Sequence, residues 1–253
     1  MEVSACIPQF FKIYDNIVIF GGHHVTAKTH CHHALELIIS FDTGATLHTD
    51  EGTMEGHGFL LKQDYVDSTT CDGYAIFICI SPESILGKRL TFALGRHHVL
   101  VIKQKTLAKI KSYISDLITH DHSENEIASY ITRALIPDIA KVEKNYTVDL
   151  RIAKVLDFIN NNVQKSFQFQ TLTEIACLSP SRLSHLFKTE VGISIRKYIL
   201  WSRLQRANKH FLRGNTLTQS AHLAGFSDVA HFTRTFVSTF GMSPSQLLKT
   251  FNG

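Results

Sequence analysis

Two stretches of this 253-residue chain carry the same pattern at a fixed offset, and that repeat limits the fold more than any other feature. The first reads FQFQTLTEIACLSPSRLSHLFKTEVG and ends at Gly192; the second reads LTQSAHLAGFSDVAHFTRTFVSTFG and ends at Gly241. Phe187 and Gly192 of the first recur as Phe236 and Gly241 of the second, 49 residues further on in both cases. Each copy is a short amphipathic helix, a tight turn, and a second helix stopped at a glycine. Between them Ser194–Arg213 is periodic and holds no glycine or proline. Such a run predicts one stiff helix of about 30 Å at 1.5 Å per residue.

The helix boundaries follow from local signals. Asp149 is placed to cap a helix running to about Asn161, with Ile152, Val155, Leu156 and Ile159 inward. Phe169–Ala176 forms the first short helix of copy one, with Thr173 at the close inter-helix position. Ser179 caps and Pro180 opens the next helix, Pro180–Val191. It buries Leu183, Leu186 and Phe187 and leaves Ser181, Arg182, Ser184, His185, Lys188 and Thr189 outside. In copy two the predicted elements are a cap at Leu217-Thr218, a helix over Gln219–Ala224, a turn at Gly225 and a helix over Asp228–Phe240. Phe232, Phe236 and Phe240 read as core, and Val229, Ala230, Thr233, Arg234 and Val237 as the outer face. A last short helix is predicted from Ser243-Pro244. Two polar helix faces of major-groove width, held about one DNA turn apart, make a device for gripping a duplex.

Charge agrees with that geometry. From Arg151 onward there are 13 basic and 4 acidic residues, whereas residues 1–150 hold 13 basic and 18 acidic ones, so the net +4 hides a strongly basic second half. A basic half suits a polyanion. No apolar run approaches the roughly 18–20 residues of a membrane span, and MEVSACIPQFFKIYD lacks the marks of a signal peptide. Five cysteines without a CxxC pair point to free thiols in a reducing cytoplasm. The polar stretch 143–149 marks the change of charge and composition, and divides the chain into domains 1–145 and 146–253.

The first half reads as β-rich. IVIF, ALELIISF, GFLL and YAIFICI are strand-length runs separated by Gly, Asp and Thr clusters, which suggests a sandwich or small barrel. Helical stripes follow at Leu107, Ile110, Ile114, Leu117 and Ile118, and over Glu126–Val142 with a bend at Pro137. These helices either pack on the barrel or leave a stripe for a second subunit, making a homodimer. In THCHHALELIISFDTG, His30, His32 and Glu36 share parity and would leave a continuous strand on one face. With His48 they form the candidate ligand pocket.

HxHxxxE followed by Gly44 resembles the first metal-binding motif of the cupin barrels. The second motif of that family should fall near residues 56–70, but EGHGFLLKQDYVDSTT has no proline and no histidine after its strand. His48 or His57 could substitute, though nothing in the spacing says so. A metal-free pocket with no cofactor, open to a small-molecule effector, is therefore the expectation; a metal-dependent cupin enzyme with a DNA-binding tail is the alternative.

The C-terminal half resembles the AraC/XylS family of bacterial transcription regulators. The resemblance rests on CLSPSRLSHLFKTEVGIS, YILWSRLQRANKHFL and AGFSDVAHFTRTFVSTFGMSPSQ, and covers about 100 residues. Thr173 departs from the alanine usual in the family. The resemblance implies an α+β chain: a cupin-like β-barrel with trailing helices, then an all-α domain with two helix-turn-helix units joined by a linker helix. It places base contacts on Ser181, Ser184, His185, Val229, Ala230, Thr233 and Arg234, and phosphate contacts on Arg182 and Lys188. It further implies a non-enzymatic cytoplasmic protein bound to double-stranded DNA that recruits RNA polymerase, activating more than repressing.

Overall fold

The computed structural model describes residues 10–135, 148–241 and 243–245. Two compact units are present, residues 144–237 forming one and residues 1–143 with 238–253 the other. The expected domain boundary at 145/146 falls within 136–147, outside the described residues.

In the first unit the strands are β1 (Phe10–Ile13), β2 (Ile17–His30), β3 (Leu35–Ser40), β4 (Ala45–Thr49), β5 (Gly52–Gly56), β6 (Gly58–Leu61), β7 (Asp67–Ile80) and β8 (Val99–Val101). All recorded pairings are antiparallel, along the path β1-β2-β7-β3-β6-β8, with the β4–β5 hairpin joined to β7. The long β7 serves two neighbours on one side: its end pairs with β3 (Leu35↔Ile80, Ser40↔Ala75) and its start with β4 (Thr49↔Asp67, Thr46↔Thr70). The expected strands IVIF, ALELIISF, GFLL and YAIFICI all lie within β2, β3, β6 and β7. The β4–β5 hairpin and β1 were not foreseen, because short runs such as GTMEG carry too little apolar alternation to announce a strand.

Three helices pack on this sheet: α1 (Ile85–Leu94), α2 (Gln104–Thr119) and α3 (Glu124–Leu135). Alternate residues of the central strands face them. Ile17, Ile19, Leu35, Leu37, Ile39, Ile76, Ile78 and Ile80 share a core with Leu90, Leu107, Ile110, Ile114, Leu117, Ile127 and Ile131. The stripe considered as a dimer interface is therefore already covered: Leu107, Ile110, Ile114 and Leu117 are each 1% exposed. The α3 helix begins at Glu124, whose carboxylate accepts from the backbone N–H groups of Asp15 and Asn16 at 2.7 and 3.0 Å, tying it to the β1–β2 turn. Pro137 and the rest of the Glu126–Val142 run lie outside the described residues. The opposite face of the sheet is buried as well, with Phe20 and Phe77 stacked at 5.0 Å. Glu36 and Cys79, directly paired between β3 and β7, point to that second face.

The continuous strand expected through His30, His32 and Glu36 does not form. β2 stops at His30, residues 31–34 turn the chain, and β3 starts at Leu35. Both strands run antiparallel to the same β7, on its two sides, so residues 31–34 carry the chain from one side of β7 to the other instead of continuing β2.

The second unit is all helical: α4 (Leu150–Asn162), α5 (Phe169–Ala176), α6 (Pro180–Val191), α7 (Ile195–Leu212), α8 (Leu217–Leu223) and α9 (Val229–Phe240), the last of which belongs to it up to Val237. Asp149 caps α4 through the Arg151 N–H at 2.9 Å, and Ser194 caps α7 through that of Lys197. The α7 helix is unbroken over 18 residues, about 27 Å long. One cap sits earlier than expected: Thr216, not Thr218, starts α8, in a reciprocal capping box with Gln219. The start expected at Ser243-Pro244 is described only to residue 245, and the rest of that helix lies outside the described residues.

Candidate nucleic-acid interface

Each helix-turn-helix is assembled by a core that leaves one face of its second helix free. In α6, Leu183, Phe187 and Val191 are buried, with Phe187 edge-on to Tyr198 of α7 at 5.6 Å. Leu186, expected inside, is half-buried. Ser181, Arg182, Ser184, His185 and Lys188 are all exposed. In α9, Phe232 and Phe236 are each 1% exposed, and Phe232 packs edge-on with both Phe226 and Phe236. Ala230 and Arg234 are exposed, and Val229 and Thr233 half-buried beside them. Among the described residues no ion pair engages Arg182, Lys188 or Arg234, so their charges remain available to an anionic partner.

The two turns are built differently. In copy one the left-handed position is taken by Cys177 (φ 51), in copy two by Gly225 (φ 89). These lie 48 residues apart, while the helices that follow keep the 49-residue offset, so one extra residue separates turn and helix in copy two. Gly225 is required sterically too: a Cβ there would sit 2.9 Å from Gln164 Cα and 2.9 Å from Val163 O. Asp228 then caps α9, accepting from His231 N–H at 2.7 Å.

Hydrogen bonds that the sequence did not announce hold α4 to α7. Asn160, read only as a helix-weakening residue, bonds Tyr198 and accepts from the Ser202 hydroxyl at 3.1 Å. Arg203 Nε donates to Val163 O at 3.0 Å. No local motif marks these contacts, since each joins residues about 40 positions apart.

In the first unit the structure brings His30, His32 and Glu36 together, one donor-type atom from each lying within 4.8 Å of the others. All three are buried. His30 Nδ1 lies 2.9 Å from Lys28 O, and His32 Nε2 lies 3.5 Å from Glu36 Oε2. Burial pushes the Glu36 carboxyl up, but His32 and His30 outweigh it and leave it below the usual carboxylate range. Asp67, opposite His30 across the β2–β7 pair, is pushed up to about 7 by burial and by the Glu36 charge. Two imidazoles and a carboxylate are a donor set that fits a divalent transition ion. His48 does not join them; it is exposed on β4 and bonded to Thr53 Oγ1 at 2.9 Å. A separate polar cleft of about 430 Å³ is lined by Thr43, Thr46, Glu55, His57, Thr70 and Asp72 among others, and by none of the four expected pocket residues.

Comparison with known proteins places these features. A family described as "Helix-turn-helix domain" matches residues 172–250. The probable transcriptional regulator LumQ of Photobacterium leiognathi is 30% identical over 154 residues, 60% of this chain and 59% of that protein. The arabinose operon regulatory protein of Escherichia coli (strain K12) is 33% identical over 104 residues, 39% of this chain and 35% of that protein. The transcriptional activator RhrA of Rhizobium meliloti (strain 1021) is 26% identical over 152 residues, 56% of this chain and 48% of that protein. The chain thus spans less than two thirds of the length of these curated relatives. In fold, the crystal structure of ToxT from Vibrio cholerae O395 is similar with a TM-score of 0.63 at 15% identity, over 96% of this chain and 98% of that one.

Proposed function

We propose that the chain is a sequence-specific DNA-binding transcription regulator of the AraC/XylS type, without catalytic activity, a reading supported by its helix-turn-helix domain and by the named regulators it resembles. Its DNA-binding part is residues 146–253, and its sensing or dimerising part is residues 1–145. The observation that carries this reading is the pair of free faces on α6 and α9, at positions 49 residues apart, within one unit that also contains the unbroken α7. Ser181, Ser184, His185, Val229, Ala230, Thr233 and Arg234 read base edges in two neighbouring major grooves, and Arg182 and Lys188 hold phosphates. Recruitment of RNA polymerase and activation agree with a relative named as a transcriptional activator.

The first unit responds to an effector in this reading. A homodimer would use a surface other than the α2 stripe, which the core consumes. No helix among the described residues is long and apolar enough to cross a membrane, which agrees with a cytoplasmic protein.

Selection of bound duplexes from a random pool tests the proposal. The recovered sites should share two unlike blocks about one helical turn, 10–10.5 base pairs, apart. Recovery of a single block, or of no preferred sequence, would overturn it.

A further inference from the structure

We infer that the open edge of β8 is a docking site for an acidic, extended polypeptide segment, which adds to the sheet of the first unit as one further strand. The inference stands on the first unit alone and does not rest on the regulator reading.

Two residues of β8 turn their backbone hydrogen-bonding groups outward. The strand pairs with β6, as Phe59↔Val101, Leu60↔Leu100 and Leu61↔Val99, and ends the path of the sheet. His98 O accepts from Lys62 N–H at 2.8 Å, and Ile102 N–H donates to Gly58 O at 2.9 Å. Residues that exchange bonds with a given neighbour alternate along an antiparallel strand. Residues 98, 100 and 102 therefore face β6, and Val99 and Val101 present their N–H and C=O groups to the other side. No strand among the described residues pairs there. The side chains are apolar and accessible, Leu100 at 41% and Val101 at 51% exposure. Such an edge is a template for another strand.

Charge selects which strand. Residues 84–115 hold seven Lys/Arg and no Asp/Glu, whereas the rest of residues 1–150 hold six basic and 18 acidic ones. Arg96 lies just before β8, and Lys103 and Lys105 just after it. All three are exposed, and no ion pair among the described residues engages them. A second copy is the wrong occupant, because pairing two β8 edges about Leu100 would bring both sets of cations to one seam, where like charges repel. Nucleic acid suits the charge but has no ladder of N–H and C=O groups to meet Val99 and Val101. A segment alternating carboxylate and apolar side chains meets the ladder, the apolar surface and the cations together. Main-chain bonds then supply affinity and side chains supply selection. Short edges flanked by lysine also deter aggregation; here the cations that keep a like strand away are those that draw an acidic one.

The test uses the full chain and a short, end-blocked fluorescent peptide of alternating glutamate and valine. A lysine–valine counterpart and a copy with a central proline are the controls. The acidic peptide should bind saturably, and the lysine peptide about tenfold or more weakly, since several exposed charge pairs change sign. The proline copy keeps most of the charge, loses a ladder bond, and should bind weakly as well. On binding, amide exchange should slow at Val99 and Val101 and stay unchanged at Leu100, which faces β6. Lys103→Glu with Lys105→Glu should reverse the preference between acidic and lysine peptides; carboxylates at the start of α2 suit the helix, so the fold is kept. Val101→Pro removes an outward N–H and should abolish binding; if it unfolds the chain, exchange at Val99 and Val101 in the unmodified chain decides. Absence of acidic-peptide binding, equal binding of the proline copy, or unchanged exchange at those two amides overturns the inference. A mass that doubles with concentration and falls back in Val101→Pro overturns it in favour of a second copy. Random duplex held through Lys103 and Lys105, with no peptide bound, overturns it in favour of nucleic acid.

Discussion

Asn160 on α4 and Tyr198 on α7 bond one another in both senses, the amide Nδ2 donating to the phenol at 3.2 Å and the phenol donating to Oδ1 at 3.3 Å. The same Oδ1 accepts from the Ser202 hydroxyl, so one side chain joins the first helix of the domain to two successive turns of its connecting helix. Tyr198 in turn packs on Phe187, the buried anchor of α6. The orientation of the exposed face of α6 thus depends on a polar contact two steps behind it.

Replacing Asn160 with alanine should therefore cost about 1–2 kcal/mol of stability, the range of a few net hydrogen bonds with one buried hydroxyl left short of its acceptor. Urea denaturation of the variant measures this as a lower midpoint at unchanged slope. An unshifted midpoint would mean that α4 and α7 are held by their apolar contacts alone.

Two glycines separate backbone strain from steric exclusion. Gly214 and Gly225 share a φ of 89°, but a Cβ on Gly214 meets nothing within 4 Å, whereas on Gly225 it meets the Val163–Gln164 backbone. Gly214→Ala should cost about 1–3 kcal/mol, the price of a left-handed non-glycine residue. Gly225→Ala should cost clearly more, because backbone atoms cannot swing aside. Equal losses for the two would show that the α4–α5 connection yields freely.

Much of this domain could be read in advance because its signals are local. Pro180, Gly192, Ser194 and Asp149 each act on the few residues beside them, and the helices start or stop there as expected, although the Ser179 side chain, read as a cap, makes no cap hydrogen bond. The misreadings have the opposite character. His30, His32 and Glu36 do come together, but through a turn between two strands pairing with β7, a long-range fact that residue parity imitates by coincidence. His48 shares their chemistry and not their location. Asp67 reaches the cluster only through the β2–β7 register, and Asn160 found its role 38 residues away. The α2 stripe was visible from sequence, but what covers it was not, since periodicity identifies an apolar face without naming its partner.

Asp149 gives a pH dependence with a defined sign. The Arg151 guanidinium and then the Arg151 N–H hold its carboxyl down at about 2, against an ordinary 3.8. A depressed folded value means that the carboxylate contributes stability fully above 3.8, and that this contribution is lost as pH falls through about 2. Asp149→Asn keeps a capping oxygen and removes the charge. The melting temperature of the unmodified chain should exceed that of the variant at pH 5, and the gap should close toward pH 2. A gap that stays constant across the range would place the effect in the cap geometry and not in the charge.

Arg234 and Lys188 distinguish reading from holding. Both are exposed, on α9 and α6 respectively, and neither is neutralised by an ion pair among the described residues. A guanidinium can address guanine O6 and N7 together, while an ammonium is a point charge suited to phosphate. Arg234→Ala should cost about 1–3 kcal/mol on a preferred site and relax the choice at one base position. Lys188→Ala should weaken preferred and random duplexes alike and reduce the slope of log K against log salt by about one. Titrations of both variants on both duplexes at several salt concentrations separate the two effects. If Arg234→Ala changed only the salt slope and left base preference intact, α9 would be gripping the backbone, and the sequence reading would have to come from α6 alone.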